Sequence, residues 1–234
     1  MDLWQIQAAE KMTDLVNIYT DIDSIEFSGS MLDYSLLDVF SDVDMIIHLS
    51  DNAIFELNEW LDVMAKSICD IFGYELYEND NQCVIRVCFE NGWRFDMTFI
   101  NATKKSTHFV EDSFENKVGS IVNQFWFISV MVLIKLGRND YLTAAHLALE
   151  LMQLNIVIQM LVRDEKKKTN IHRFGDREDV STTRSLNLTN ESSNKDAILT
   201  ILYHASEKMD ELSASIVNSV SRTDKLRRIH EVHL

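Results

Sequence analysis

Val43-Asp44-Met45-Ile46-Ile47-His48-Leu49, entered through Ser41-Asp42, is the stretch on which the fold turns. Its β-branched, apolar content and its length read as a buried strand. Side chains two apart on a strand point the same way, so Asp42 and Asp44 share one side while Val43, Met45 and Ile47 share the other. Upstream, Ser24 to Ser28 reads as a short strand that runs into Gly29-Ser30. Before it, Leu3, Ile6, Ala9, Met12, Leu15, Val16 and Tyr19 recur at helical spacing and predict an amphipathic helix. Downstream, Asp51 or Asn52 is placed to cap a helix reaching about Phe72, with Gly73 as its stop. Gln82 to Phe89 and Trp93 to Ile100 both read as strands, and Asn91-Gly92 between them signals a hairpin, hence antiparallel pairing. Strand, helix and hairpin together predict an α/β unit with a small mixed sheet over residues 1–112.

Beyond Phe114 the apolar period becomes helical. Two long helices are expected, Phe114 to Leu136 and Tyr141 to Val162, joined at Gly137-Arg138-Asn139-Asp140. Residues 164–194 are polar, include Lys166-Lys167-Lys168, and are expected to form a mobile loop. Ile198, Ile201, Leu202, Ala205, Met209, Leu212, Ile216 and Val220 predict a last helix from Asp196 to about Val220. Residues 113–234 therefore read as a helical domain following the sheet domain.

Composition narrows the function. The chain has 234 residues, 46% of them apolar, and a formal charge of -15, which excludes a general nucleic-acid binder because phosphate backbones require a basic surface. The charge is lopsided: residues 1–112 carry 22 acidic and 6 basic residues, residues 113–234 carry 15 and 16. A field of that sign attracts metal ions and cationic small molecules, and it also serves plain solubility. Met1-Asp2-Leu3-Trp4-Gln5 has no basic flank or apolar signal core, and the longest apolar run, Phe125 to Ile134, is too short to span a bilayer. A cytoplasmic protein with no membrane partner is the expectation. Cys69, Cys83 and Cys88 are odd in number and lack metal-ligand spacing, so reduced, mostly buried thiols are expected.

The chemistry-bearing residues lie around the quoted strand. Asp42 and Asp44 on one side repel each other unless cations intervene, and hard carboxylate oxygens suit magnesium. Gly29 lets backbone approach a phosphate, and the Ser30 hydroxyl can donate to it. Within Arg94-Phe95-Asp96-Met97-Thr98-Phe99-Ile100, alternation sets Arg94, Asp96 and Thr98 on one face and Trp93, Phe95, Met97 and Phe99 on the other, so Asp96 is free to be a third carboxylate. Lys135, Arg138, Arg163 and Lys167 are candidates to hold a triphosphate, although solvated helix ends explain each alone. His146 and Glu150 share a helix face, and Phe125-Trp126-Phe127 reads best as core.

The pattern Phe27-Ser28-Gly29-Ser30, eleven residues, then Asp42-Val43-Asp44-Met45-Ile46-Ile47, with Asp96 on a later strand, resembles the nucleotidyltransferase superfamily over residues 24–100. The order of a palm-like sheet domain and a helical domain is similar to that of aminoglycoside adenylyltransferases of the streptomycin type, and Arg138-Asn139-Asp140-Tyr141-Leu142 and His146 resemble that branch. This resemblance implies ATP or another nucleoside triphosphate as co-substrate and two Mg2+ ions held by Asp42, Asp44 and Asp96. It also implies Gly29 and Ser30 at the nucleotide, and Asp96 as metal ligand or general base. The product would be a nucleoside monophosphate on a hydroxyl of a small cationic acceptor, an antibiotic. Open beside it are a lincosamide acceptor, a protein-nucleotidylating enzyme of a toxin–antitoxin pair, and a non-catalytic nucleotide-binding module.

Overall fold

The protein is described here from a computed structural model, covering residues 4–51, 53, 55–79, 81–101, 113–167, 194–214, 216 and 221–233. The chain divides into two compact units, one of Met1–Phe109 with Arg228–Leu234 and one of Val110–Arg227.

The first unit opens with helix α1 (Trp4–Tyr19) and strand β1 (Ile22–Phe27), then two short 3-10 turns at Gly29–Leu32 and Tyr34–Leu36. Strand β2 (Val43–Leu49), helix α2 (Leu57–Ser67), and strands β3 (Ile71–Glu78), β4 (Gln82–Phe89) and β5 (Arg94–Ile100) follow. The strands form one five-stranded sheet in the order β1-β2-β5-β4-β3. Only β2 and β5 run parallel among these neighbours; β1 with β2, β4 with β5 and β3 with β4 are antiparallel. A parallel pair needs a crossover, and α2 with the β3–β4 hairpin supplies it.

Strict alternation makes the sheet two-faced. Val43, Met45, Ile47 and Leu49 of β2 and Phe95, Met97 and Phe99 of β5 are buried. They join Ala8, Met12 and Val16 of α1 and Leu57, Trp60, Leu61 and Met64 of α2 in one core. Phe99 is its hub: its ring lies 4.4 Å from Phe55 and 6.0 Å, edge-on, from Trp60. Asp44, Ile46, His48, Asp96 and Thr98 point to the other face and are half-buried.

The second unit is helical: α3 (Phe114–Gly137), α4 (Tyr141–Lys167) and α5 (Lys195–Ala214), followed by α6 (Thr223–His233), of which the residues up to Arg227 belong to this unit and those from Arg228 to the first. Ser113 caps α3, its hydroxyl accepting from the Asn116 amide at 3.2 Å. Asn139 takes φ 59° in the turn between α3 and α4, and Asp140 Oδ1 accepts from the Thr143 amide at 3.2 Å to start α4. Phe125, Trp126 and Phe127 are buried, the first two in an edge-to-face pair at 5.1 Å, so this triplet is core. Asn155 Nδ2 donates to the Ala205 carbonyl at 2.9 Å and ties α4 to α5.

The sequence reading needs correcting between Asp51 and Glu78. The helix starts at Leu57 and ends at Ser67, while Gly73 sits inside strand β3 opposite Cys88, next to a register irregularity at Ile71/Gly73. As an edge strand with only Phe72 and Gly73 buried, β3 lacks the alternation that marks β2. Its pairing with β4 overrides the helix-stop reading of its glycine. Strand β1 begins at Ile22, two residues earlier than expected. Helix α4 continues to Lys167, with Asp164 buried, so the proposed loop loses its first four residues; 168–193 lies outside the described residues. The last predicted helix ends at Ala214, and Leu3, Asn52 and Val220 also lie outside the description.

By length and mean hydropathy α3 and the Tyr141–Lys166 part of α4 are each long and apolar enough to cross a bilayer; 61% of the α3 window is buried within the protein, against 22% for α4. Whole helices therefore pass a test that the run Phe125 to Ile134, broken only by Ser129, fails.

Truncating the hub should expose how much the first unit depends on it. Phe99→Ala is expected to cost about 3–5 kcal/mol, as for large aromatic cavities. Urea unfolding followed by tryptophan fluorescence, with Trp60 reporting locally, checks this.

Candidate active site

The outward face of the sheet carries a row of charge. Asp44 on β2 stands beside Asp96 on β5 in parallel register, and Asp96 stands opposite Arg86 on β4. Arg86 in turn is opposite Glu75 on β3. Directly paired residues share a face, so four charged side chains line up across four strands. Asp42, one residue before β2, interacts electrostatically with both Asp44 and Asp96. Arg86 Nε donates to Asp96 Oδ2 at 2.9 Å.

These contacts perturb the acids as their chemistry requires. Burial, then the negative charges of Asp42 and Asp96, push the Asp44 carboxyl up to about 6, while Arg86 pulls it back. Burial likewise raises Asp96, opposed by the charge and hydrogen bond of Arg86. A carboxylate cluster of this kind in a partly desolvated place favours an added cation.

Backbone geometry brings the Gly29-Ser30 turn onto the same cluster. Gly29 has φ +57°, and a Cβ there would collide with the Asp44 carboxylate, so a side chain is excluded both by conformation and by space. The Ser28 amide donates to the Asp44 carbonyl at 3.1 Å, which fixes the turn to β2, and half-buried Ser30 follows in the 3-10 turn.

The loop that delivers Asp42 is clamped from beneath. Gln5 Nε2, from fully buried Gln5, donates to the carbonyls of Asp38 at 2.6 Å and Ser41 at 3.0 Å. One guanidinium nitrogen of Arg94 donates to the same Ser41 carbonyl at 3.1 Å, and the other to Gly92 at 2.8 Å. Within the loop, Ser41 Oγ donates to Asp38 Oδ1 at 2.9 Å. Arg94 is thus buried, packed over the Trp4 ring at 5.2 Å, not displayed beside Asp96 as alternation predicts.

Asp42, Asp44, Asp96, Gly29 and Ser30 are therefore brought to one end of the β2–β5 pair. Among the described residues, however, no three His, Cys, Asp or Glu side chains form a group poised to hold a metal ion. Asp96 is engaged by Arg86 instead. Of the remaining candidates, Lys135, Arg138, Arg163 and Lys167 all belong to the helical unit, where Arg163 pairs with Asp164 at 3.1 Å. His146 is exposed on α4, and Glu150 is half-buried one turn on. The three cysteines are free; burial pushes Cys83 and Cys88 up to about 12, which leaves them inert thiols.

Gln5, Arg94 and Arg86 escaped the sequence reading. Gln5 sits on the apolar face of α1 with nothing to mark it. Arg86 depended on the hairpin register. A two-residue Asn91-Gly92 turn would pair Arg86 with Met97, but the hairpin closes one residue wider. Phe89 is bonded to Trp93 at 2.9 Å, and Gly92 adopts φ 84°, the pattern of a three-residue loop.

The fold and site so described are those of an α/β unit presenting three carboxylates at a parallel strand pair beside a glycine turn. Known proteins add little to that. No protein-family model matches the chain, and no curated protein matches it. Among solved structures, it is similar to the crystal structure of an aminoglycoside 6-adenyltransferase from Bacillus subtilis at 17% identity. The match covers 86% of this chain and 95% of that one, with a TM-score of 0.31, too low an overlap to support any reading of the site.

The raised Asp44 has a consequence for stability. An unfolded aspartate ionises near 3.9, whereas folded Asp44 holds its proton to about 6. The folded state therefore binds the extra proton between those values, and stability falls as pH rises through that window. Asp44→Asn should stabilise the metal-free protein at pH 8 by about 1 kcal/mol after allowance for solvent screening, roughly 2–4 °C in Tm, with the gain gone below about pH 4. Thermal melts of both proteins across pH in the presence of a chelator measure it.

Proposed function

We propose that the chain is a nucleotidyltransferase that moves a nucleoside monophosphate, AMP from ATP, onto a hydroxyl of a small cationic acceptor, an aminoglycoside antibiotic, with release of pyrophosphate. One observation carries this reading: Asp42, Asp44 and Asp96 meet at the β2–β5 pair directly beside a glycine whose missing side chain leaves Asp44 its space.

The donor set suits magnesium, since every oxygen is a hard carboxylate, the cluster's mutual repulsion calls for a cation, and Arg86 already supplies one. Asp42, Asp44 and Asp96 would hold it, as two ions. When bound, the metal would lower the pKa of the acceptor hydroxyl and neutralise the departing pyrophosphate. The remaining work falls to the chain. Gly29 gives backbone amides access to the phosphates, and the Ser30 hydroxyl donates to a phosphate oxygen. The Gln5–Arg94 clamp on Ser41 holds Asp42 at a set distance from Asp44. Asp96, its pKa raised, is suited to receive the proton of the attacking hydroxyl.

In this reading residues 1–112 carry the chemistry, residues 113–234 form the accompanying helical domain, and the reaction runs in the cytoplasm where ATP is supplied. The acidic excess of the first half favours an acceptor bearing ammonium groups.

Pyrophosphate release should appear when ATP, GTP, CTP and UTP are screened with magnesium against aminoglycosides and lincosamides. Asp42→Asn, which keeps shape and removes charge, should lower that rate by about 10²-fold or more while the circular dichroism spectrum stays unchanged. Near-normal turnover in this variant would overturn the site assignment.

For the acceptor, the Michaelis constant at saturating magnesium nucleotide should rise with ionic strength, because exposed charges are screened over a Debye length of about 8 Å at physiological salt. A flat response for the best acceptor found points to a neutral one, such as a lincosamide.

A further inference from the structure

Arg86 is the one member of the outward charge row whose sign opposes the proposed chemistry. Its Nε holds Asp96 Oδ2 at 2.9 Å, its charge lowers the pKa of both Asp44 and Asp96, and its side chain is 53% exposed. A buried guanidinium would be a fixed strut, as Arg94 is. A half-exposed one on a flat sheet face, with carboxylates on both flanking strands, can turn. Asp96 stands opposite it on β5 and Glu75 on β3, so a guanidinium that leaves Asp96 meets a second carboxylate in the same row.

With Asp96 so engaged, no metal-binding group of three is formed among the described residues. A guanidinium and a divalent cation compete for the same carboxylate oxygen, Asp96 Oδ2, which Arg86 Nε already occupies.

We propose that Arg86 is an exchangeable counter-ion of the carboxylate cluster, which neutralises Asp96 while the site is empty and is displaced from it when a divalent cation binds. This rests on the metal-dependent reading above and adds a regulatory step to it. Arg86 sets a threshold for metal loading, and its displacement is part of the affinity measured. The exchange makes and breaks no covalent bond and moves no proton. It trades one cation for another on Asp96.

The test is binding of Mn2+ alone, followed by electron paramagnetic resonance at pH 8, where the carboxylates are ionised. Four proteins are compared: wild type, Arg86→Gln, Arg86→Lys and Asp44→Asn. Coupling between competing sites typically amounts to 5–150-fold, so Arg86→Gln should bind Mn2+ at least about fivefold more tightly than wild type. Arg86→Lys, which keeps the charge, should stay near wild type, and Asp44→Asn should lose the binding. If Arg86→Gln binds no more tightly than wild type while Asp44→Asn loses the site, Arg86 is a static partner and the exchange is wrong, with the metal site intact. If no Asp44-dependent binding is found in wild type or Arg86→Gln, the metal reading falls and this proposal with it. Circular dichroism on each variant separates loss of binding from loss of fold.

Discussion

Two like charges placed side by side on neighbouring strands are the constraint around which the first unit is built. Asp44 and Asp96 are adjacent because β2 and β5 run parallel with those residues in register. Left to themselves they would repel, and a slip of one residue would relieve them. The slip is prevented from the other face of the sheet. There Met45, Ile47, Met97 and Phe99 are buried against α1 and α2, and a shift of one position would turn them all outward. The hydrophobic core thus holds an electrostatically unfavourable pair in place, and the Asp44 carboxyl is raised first by burial and then by the charges of Asp42 and Asp96.

Supports of two kinds surround the pair. Beneath it, buried Gln5 and Arg94 grip the Ser41 carbonyl, and the Ser28 amide grips that of Asp44. These are backbone attachments, suited to holding the carboxylates in fixed positions. Above it, Arg86 is bound by side-chain contact alone and faces water. A site assembled in this way has a buried frame and one solvent-facing guanidinium.

Much of this could be read from the residues alone, for reasons that differ by element. Strand β2 was legible because Val43 to Leu49 alternates about a buried core, and β5 because the same alternation separates Asp96 from Phe95 and Met97. With those strands the carboxylates came too. The long helices α3 and α4 were legible from their period, and Phe125-Trp126-Phe127 from its apolarity. Strand β3 was not: its stability lies in pairing with the β4 that follows it, which its own burial pattern does not announce, and its glycine imitates a helix stop. The clamp by Gln5 was invisible for a related reason, since a polar residue on an apolar helical face looks like an imperfection until the loop it serves is present. Arg94 misled because alternation assigns direction but not burial.

The three-residue loop between β4 and β5 carries more than a change of direction. The pair on which it closes, Phe89 with Trp93, decides which β4 residue stands across from Asp96, and so whether the cluster has a cation at all. Closing the turn on Asn91-Gly92 alone, with Glu90 drawn into β4 opposite Trp93, would leave every charged side chain in the sequence yet set Arg86 against Met97. Relatives of this protein could thus gain or lose the guanidinium through a change of turn type at Glu90-Asn91-Gly92, with no substitution at the site. In such a family the charge state of the centre would be inherited through turn geometry, and alignments that score residue identity column by column would overlook it.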